Sequence, residues 1–214
     1  MARSKLSPDE RRREIILAAQ GLFGSKGVKA TSVSDIVKAV GVAQGTFYWY
    51  FKSKEEVIGA VAQEYAREYF ASQIEIVKTP GLSALEKMQR IWEDSLNKYA
   101  DNISLTNYLH SERNRDMHEQ LVKENMGFLF PMMNEIIRQG KEEGVFLVQD
   151  IEETSMIFIA GLQGVHILFS SSMSQTLLEQ RIKLTADFFL KGLGCTDISF
   201  MDRIQIPIIM PLDC

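Results

Sequence analysis

The sequence predicts an all-α chain, a short N-terminal three-helix part followed by a larger helical part. Three observations carry that reading. Apolar residues recur at helical spacing through most of the 214 residues, and no stretch alternates with period two for long enough to argue a sheet. Between two short apolar patterns stands Gly41, the sign of two helices joined by a tight turn. The length is enough for one small and one larger domain, with a sizeable core.

The elements follow in order. Ser7-Pro8-Asp9-Glu10 is a helix start of the capping-box kind, with proline in the first turn where its missing N–H costs nothing. Ile15, Ile16, Ala19, Leu22 and Phe23 continue it as an amphipathic helix up to the stretch Gly24 to Gly27. A second helix starts after Ser32, whose hydroxyl is placed to cap the N–H of Asp35, and Val33, Ile36, Val37 and Val40 share one of its faces. Gly41 then turns the chain, since a residue free to take positive φ ends a helix sharply. In the third helix Val42, Phe47 and Phe51 point inward, which leaves Gln44, Thr46, Tyr48, Trp49 and Tyr50 on or near the outside.

Ser53-Lys54-Glu55-Glu56 reads as another capping box, opening a long helix that runs to about Val77 and links the two parts. Thr79-Pro80-Gly81 breaks its pattern and marks a working boundary. Helices are then expected at about 83–101, 103–112, 116–141, 151–171 and 175–192. Pro131, inside the third of these, should kink or interrupt it. The run Met156 to Leu162 is apolar or small on nearly every side, so this helix should be buried all round.

Charge divides the chain. Up to residue 58 there are ten Lys and Arg against six Asp and Glu, leaving fourteen against twenty-two beyond it, within an overall net charge of −4. Only the N-terminal part is a candidate for phosphate contact. The two cysteines, Cys195 and Cys214, form no metal-like spacing, and neither a signal-peptide layout nor an apolar run of membrane-spanning length is present. The expectation is a cytoplasmic protein with no metal and no cofactor.

The stretch from about Arg12 to Lys54, with G-x-x-x-T-S-V-S-D-I near its middle and G-T-F-Y-W-Y-F-K-S-K at its end, resembles the DNA-binding domain of the TetR family of transcriptional regulators. One departure is Tyr50, where many members carry His, and a phenol still donates to a phosphate. The resemblance implies residues 1–58 as a helix-turn-helix DNA-binding domain, 59–194 as a helical ligand-binding and dimerisation domain, and 195–214 as a C-terminal tail. It also implies a homodimer bound to a palindromic operator and released by a small molecule, with repression favoured over activation.

Site residues follow from this reading. Gln44 offers a donor and an acceptor that suit N7 and N6 of adenine, and Thr46 suits a base edge or a thymine methyl. Tyr48, Trp49, Tyr50 and Lys54 suit phosphate and sugar, with Gly45 between the readers and Thr31, Ser32 and Ser34 as further contacts. Trp92, Tyr99, Tyr108, Phe128, Met132, Phe158, Leu162 and His166 are pocket candidates for an apolar or amphipathic inducer, because aromatic and methionine side chains adapt to such ligands. Core packing explains any one of them as well. Ile157, Gly161, Gly164 and Phe188 are candidates for the dimer interface, the glycines allowing close helix approach.

Two other classes compete. An enzyme would use the titratable groups from His110 to Glu119, but H-S-E-R-N-R-D-M-H-E is not the H-E-x-x-H zinc pattern, and no P-loop, dinucleotide fingerprint or nucleophile elbow occurs. A helical adaptor binding only protein would leave the register of Gln44 and Thr46 unexplained.

Overall fold

Local capping sets where the first helices begin. The computed structural model describes residues 6–109, 111, 114–165, 174–195, 197 and 206–207, without the surroundings of residues 115, 164 and 165. Helix α1 (Pro8–Lys26) opens on Ser7, whose Oγ accepts the Glu10 N–H at 3.3 Å while the Glu10 carboxylate accepts the Ser7 N–H at 2.7 Å. Helix α2 (Val33–Val40) repeats the device with Ser32 and Asp35, at 3.1 and 2.8 Å. Helix α3 (Gln44–Tyr50) follows after Gly41, which sits at φ 73°, ψ 40°. There the Val42 N–H reaches back to the Val37 carbonyl at 3.0 Å, closing the turn.

The next start departs from the expected capping box. Helix α4 (Lys54–Lys78) is capped by Ser53, which accepts the Glu56 N–H at 3.2 Å, but Glu56 returns to the N–H of Lys52 at 2.6 Å. The reciprocal bond is thus made one residue early, just after the extended Phe51. The remaining helices are α5 (Ala84–Asp101), α6 (Ile103–Leu109), α7 (Arg115–Glu142), α8 (Ile151–Val165) and α9 (Gln175–Gly192). Of the expected helix at 103–112, Ile103–Leu109 is helical and residue 111 is not, while residues 110 and 112, and residues 166–171 of the expected 151–171 helix, lie outside the described residues.

Pro131 does not interrupt α7, which runs unbroken from Arg115 to Glu142. Both Pro131 and Gly127, whose carbonyl loses its partner, are exposed, so water can replace the missing N–H. Met132, Met133, Ile136 and Ile137 on the other side are buried and hold the helix by packing.

The chain divides into two compact units. The first contains the residues up to Arg67 together with Asn102–Leu121, and the second contains Glu68–Asp101 and the chain from Val122 onward. The core of the first unites Ile15, Ala19 and Phe23 of α1, Ile36 and Val40 of α2, and Phe47 and Phe51 with Val57, Ile58 and Val61 of α4. Leu105 and Leu109 of α6 complete it. Buried Ser104 binds α6 to this unit, its Oγ accepting the Val28 N–H at 3.1 Å. That cross-link spans 76 residues of sequence.

In the second unit the core runs through Met88, Met132, Ile136, Phe146, Phe158, Phe189 and Leu190. Polar side chains join α4 to α5. The Ser95 hydroxyl donates to the Ile91 carbonyl at 2.7 Å and accepts from Gln73 Nε2 at 2.9 Å, with Tyr69 Oη 2.8 Å away. Burial raises the Tyr69 phenol above its ordinary pKa, so it stays a neutral donor. Such a satisfied network fixes helix register, since sliding either helix would strand buried polar groups. Ile206 packs against this core, and the Pro207 carbonyl accepts from Gln175 at 3.1 Å, a first account of the apolar tail.

Candidate nucleic-acid interface and dimer face

Helix α3 is anchored by one side only. Phe47 and Phe51 are fully buried, their rings 5.7 Å apart, and Arg12 lies 5.0 Å over the Phe51 ring. Because the helix buries Phe47 beneath it, its opposite face must point outward. Gln44 and Gly45 are exposed, Tyr48 is 51% exposed and Trp49 70% exposed. The Trp49 ring meets Tyr50 edge-on at 4.5 Å, while Tyr50 itself is half-buried against the core. A large aromatic left in water is unfavourable unless a partner covers it.

The flank of this face is held by ion pairing. Lys26 Nζ lies 2.7 Å from Asp35 Oδ2, which also accepts from the Ser32 hydroxyl at 2.7 Å. These hydrogen bonds, Lys26 first and Ser32 after it, hold the Asp35 carboxyl well below the usual carboxylate range. The Ser32 hydroxyl is therefore occupied as a cap, whereas Ser34 is exposed. Lys54 Nζ donates to the Lys29 carbonyl at 3.3 Å, tying the start of α4 to the turn before α2.

Thr31 departs from its expected place. It is fully buried, and its hydroxyl bonds the Gly27 carbonyl at 2.8 Å, so it braces the turn and does not reach the surface. Polarity suggested a surface residue because sequence spacing gives no sign that the carbonyls of Gly27 and Leu22 converge on this hydroxyl. Thr46 is half-buried.

The pocket candidates do not form one set. Trp92, Met132, Phe158 and Leu162 belong to the packed core of the second unit, with Met132 and Phe158 buried. Phe128 is 48% exposed and stacks on Phe70 with centroids 6.2 Å apart. Tyr99 is half-buried, and burial raises its phenol pKa. Tyr108 departs from the set, since it packs against the core of the first unit. Its helix, α6, buries Leu105 and Leu109 there, which carries Tyr108 along. His166 lies outside the described residues.

The segment from His110 to Glu119 is split, with α7 starting at Arg115. His110 and Glu112 lie outside the described residues, and burial lowers the pKa of His118, opposed by the nearby Glu119. Among the described residues no group of three or more metal-ligating side chains converges. No described helix is long and apolar enough to cross a membrane.

Helix α8 is not buried all round within the protomer. Ser155, Phe158 and Ile159 face inward, while Met156 is 52% and Ile157 71% exposed. On α9 a stripe at helical spacing stands in water: Leu177, Leu184 at 60% and Phe188 at 73% exposed. Leu184, not singled out from the sequence, shares this stripe through its spacing of seven from Leu177 and four from Phe188. Gly161 serves the protomer's own packing, because a Cβ there would lie 2.8 Å from the Phe189 ring. Gly164 falls within α8, with its surroundings outside the description.

Comparison with known proteins fits this geometry. Residues 15–61 match the model for bacterial regulatory proteins of the tetR family, a span that runs from within α1 through α2 and α3 into the start of α4. The HTH-type transcriptional repressor KstR2 of Mycolicibacterium smegmatis is 36% identical over 81 residues, which is 38% of this chain and 39% of that repressor. The matched part thus spans well under half the length of that curated relative. A TetR/AcrR-family regulator from Thermobifida fusca superposes with TM-score 0.64 at 22% identity, covering 86% of this chain and 98% of the other. The fatty acid degradation regulator FadR of Bacillus halodurans gives TM-score 0.62 at 24% identity, covering 90% and 100%. The motif, the helix order and these likenesses agree: residues 15–61 match the tetR-family model, and the fold of the chain is similar to that of the solved TetR/AcrR-family regulator.

Proposed function

We propose that this chain is a DNA-binding transcriptional repressor, acting as a homodimer on a palindromic operator and released by a small apolar or amphipathic molecule. The observation that carries the reading is the outer face of α3, where Gln44, Gly45, Tyr48 and Trp49 stand in water above a helix anchored by Phe47. Gln44 and Thr46 read base edges; Tyr48, Trp49, Tyr50, Ser34 and Lys54 hold phosphate and sugar.

The exposed apolar stripe of Leu177, Leu184 and Phe188, beside Met156 and Ile157, supports the homodimer. Pairing would bury it as a four-helix face made by α8 and α9 of each protomer. A dimer reads half-sites about 34–36 Å apart, so a ligand that favours another separation of the two reading helices lowers operator affinity. The ligand shifts that equilibrium only by its differential affinity for the released arrangement. The aromatic and methionine side chains of the second unit favour an apolar ligand, and the similarity in fold to a fatty acid degradation regulator favours an acyl chain.

Sequencing genomic fragments retained by the purified protein tests the reading. A single palindromic motif is expected among them. Retention of no fragment at low salt refutes DNA binding and revives a protein-binding adaptor.

A further inference from the structure

Helix α3 carries no ionisable cation anywhere along its length: it reads Gln-Gly-Thr-Phe-Tyr-Trp-Tyr, with no basic and no acidic residue. Guanine is most often read in the major groove by Arg or Lys, which give two N–H donors to O6 and N7. Adenine is read by an amide that donates to N7 and accepts from N6, and thymine by apolar contact with its methyl group. The exposed surface of α3 lacks the bidentate cation that guanine most often meets and offers the amide chemistry that suits adenine. It presents the exposed Gln44 amide and the Tyr48 and Trp49 rings, with half-buried Thr46 between them.

Two more observations support a close, uncharged contact. A Cβ built on Gly45 would meet nothing within 4 Å, so packing inside the protein does not require glycine there, although glycine weakens a helix. Its absence of side chain leaves room for a groove edge, including a thymine methyl, to lie against the backbone. Four nearby cations have partners within the chain, Lys26 with Asp35, Lys54 with the Lys29 carbonyl, Arg11 with Glu14, and Arg12 over Phe51. Exposed Lys29, Lys38 and Lys52 stand on the flanking segments and not on α3.

We infer that the base pairs facing α3 in each half-site are predominantly A·T, with Gln44 selecting an adenine and Thr46 with the exposed rings selecting thymine methyls. This rests on the DNA-binding reading above and adds to it the composition of the sequence read. Cations of α2 and α4 then supply affinity through phosphates without choosing bases.

The test is selection of the full chain on a random duplex library, followed by affinity measurements on the enriched site. Wild type should enrich a motif whose strongest half-site positions are A or T, and Gln44→Ala should lose preference at one adenine by between about five- and 150-fold. Replacing that adenine by 7-deazaadenine should weaken wild type and leave Gln44→Ala unchanged. Gln44→Arg should move the preference at that position to guanine. A motif dominated by G·C pairs at those positions overturns the inference, as does an A·T-rich motif that Gln44→Ala and 7-deazaadenine leave untouched, because groove shape would then be the selector. Enrichment of no motif would refute the DNA-binding reading itself, a failure distinct from a G·C-rich outcome.

Discussion

Replacing Phe188 by alanine should weaken dimerisation by a calculable amount. Full burial of a phenylalanine side chain is worth about 1.5–3 kcal/mol. Because 73% of Phe188 remains exposed in the protomer, its burial by a twin helix contributes about 1–2 kcal/mol per ring. A two-fold interface buries two such rings, so the loss is about 2–4 kcal/mol, or about 30- to 700-fold in the dimer dissociation constant. Folding of the chain should be nearly untouched, since the ring is mostly exposed and meets Phe189 edge-on at 5.8 Å. Gly161 would be a poor choice for this purpose, because any side chain there strikes Phe189 of the same protomer first. Sedimentation equilibrium over a concentration series measures the dissociation constant, and circular dichroism melting checks the fold. A wild type that stays monomeric at micromolar concentration, or a Phe188→Ala variant with an unchanged dissociation constant, would refute the α8 and α9 face as the interface.

Three further predictions concern the first unit. Lys54→Ala should weaken specific and random DNA alike and make the slope of log affinity against log salt shallower by about one unit; an unchanged slope assigns the ammonium to its bond with Lys29 alone. Ser104→Ala leaves the buried Val28 N–H without its acceptor and should cost about 1–3 kcal/mol in denaturant unfolding, while Ser104→Thr recovers part of it. For Asp35 the folded pKa is depressed, so its contribution to stability is complete above the ordinary value of 3.8 and is lost as pH falls toward the depressed folded value. An NMR titration should find this carboxylate still ionised when exposed carboxylates of the chain have taken up their protons, and Asp35→Asn should flatten the acid limb of the stability profile.

The sequence alone was enough for the order of the first helices and for the outward face of α3, since both rest on local or periodic information. Ser32, Asp35 and Gly41 act within a few residues, where side-chain reach and φ preference decide the outcome. Burial of Phe47 and Phe51 follows from spacing, and with it the outward direction of Gln44 and Trp49. Tertiary structure decided what depends on partners distant in sequence. Thr31 turned inward because two carbonyls meet its hydroxyl, and Tyr108 joined the first unit because Ser104 fastens α6 to Val28. Gly161 proved to make room for Phe189 of its own chain, while Leu184 and Phe188 stayed in water. Period 3.6 tells which residues share a helix face; it does not tell which neighbour covers that face, because that depends on how helices far apart in the chain pack together.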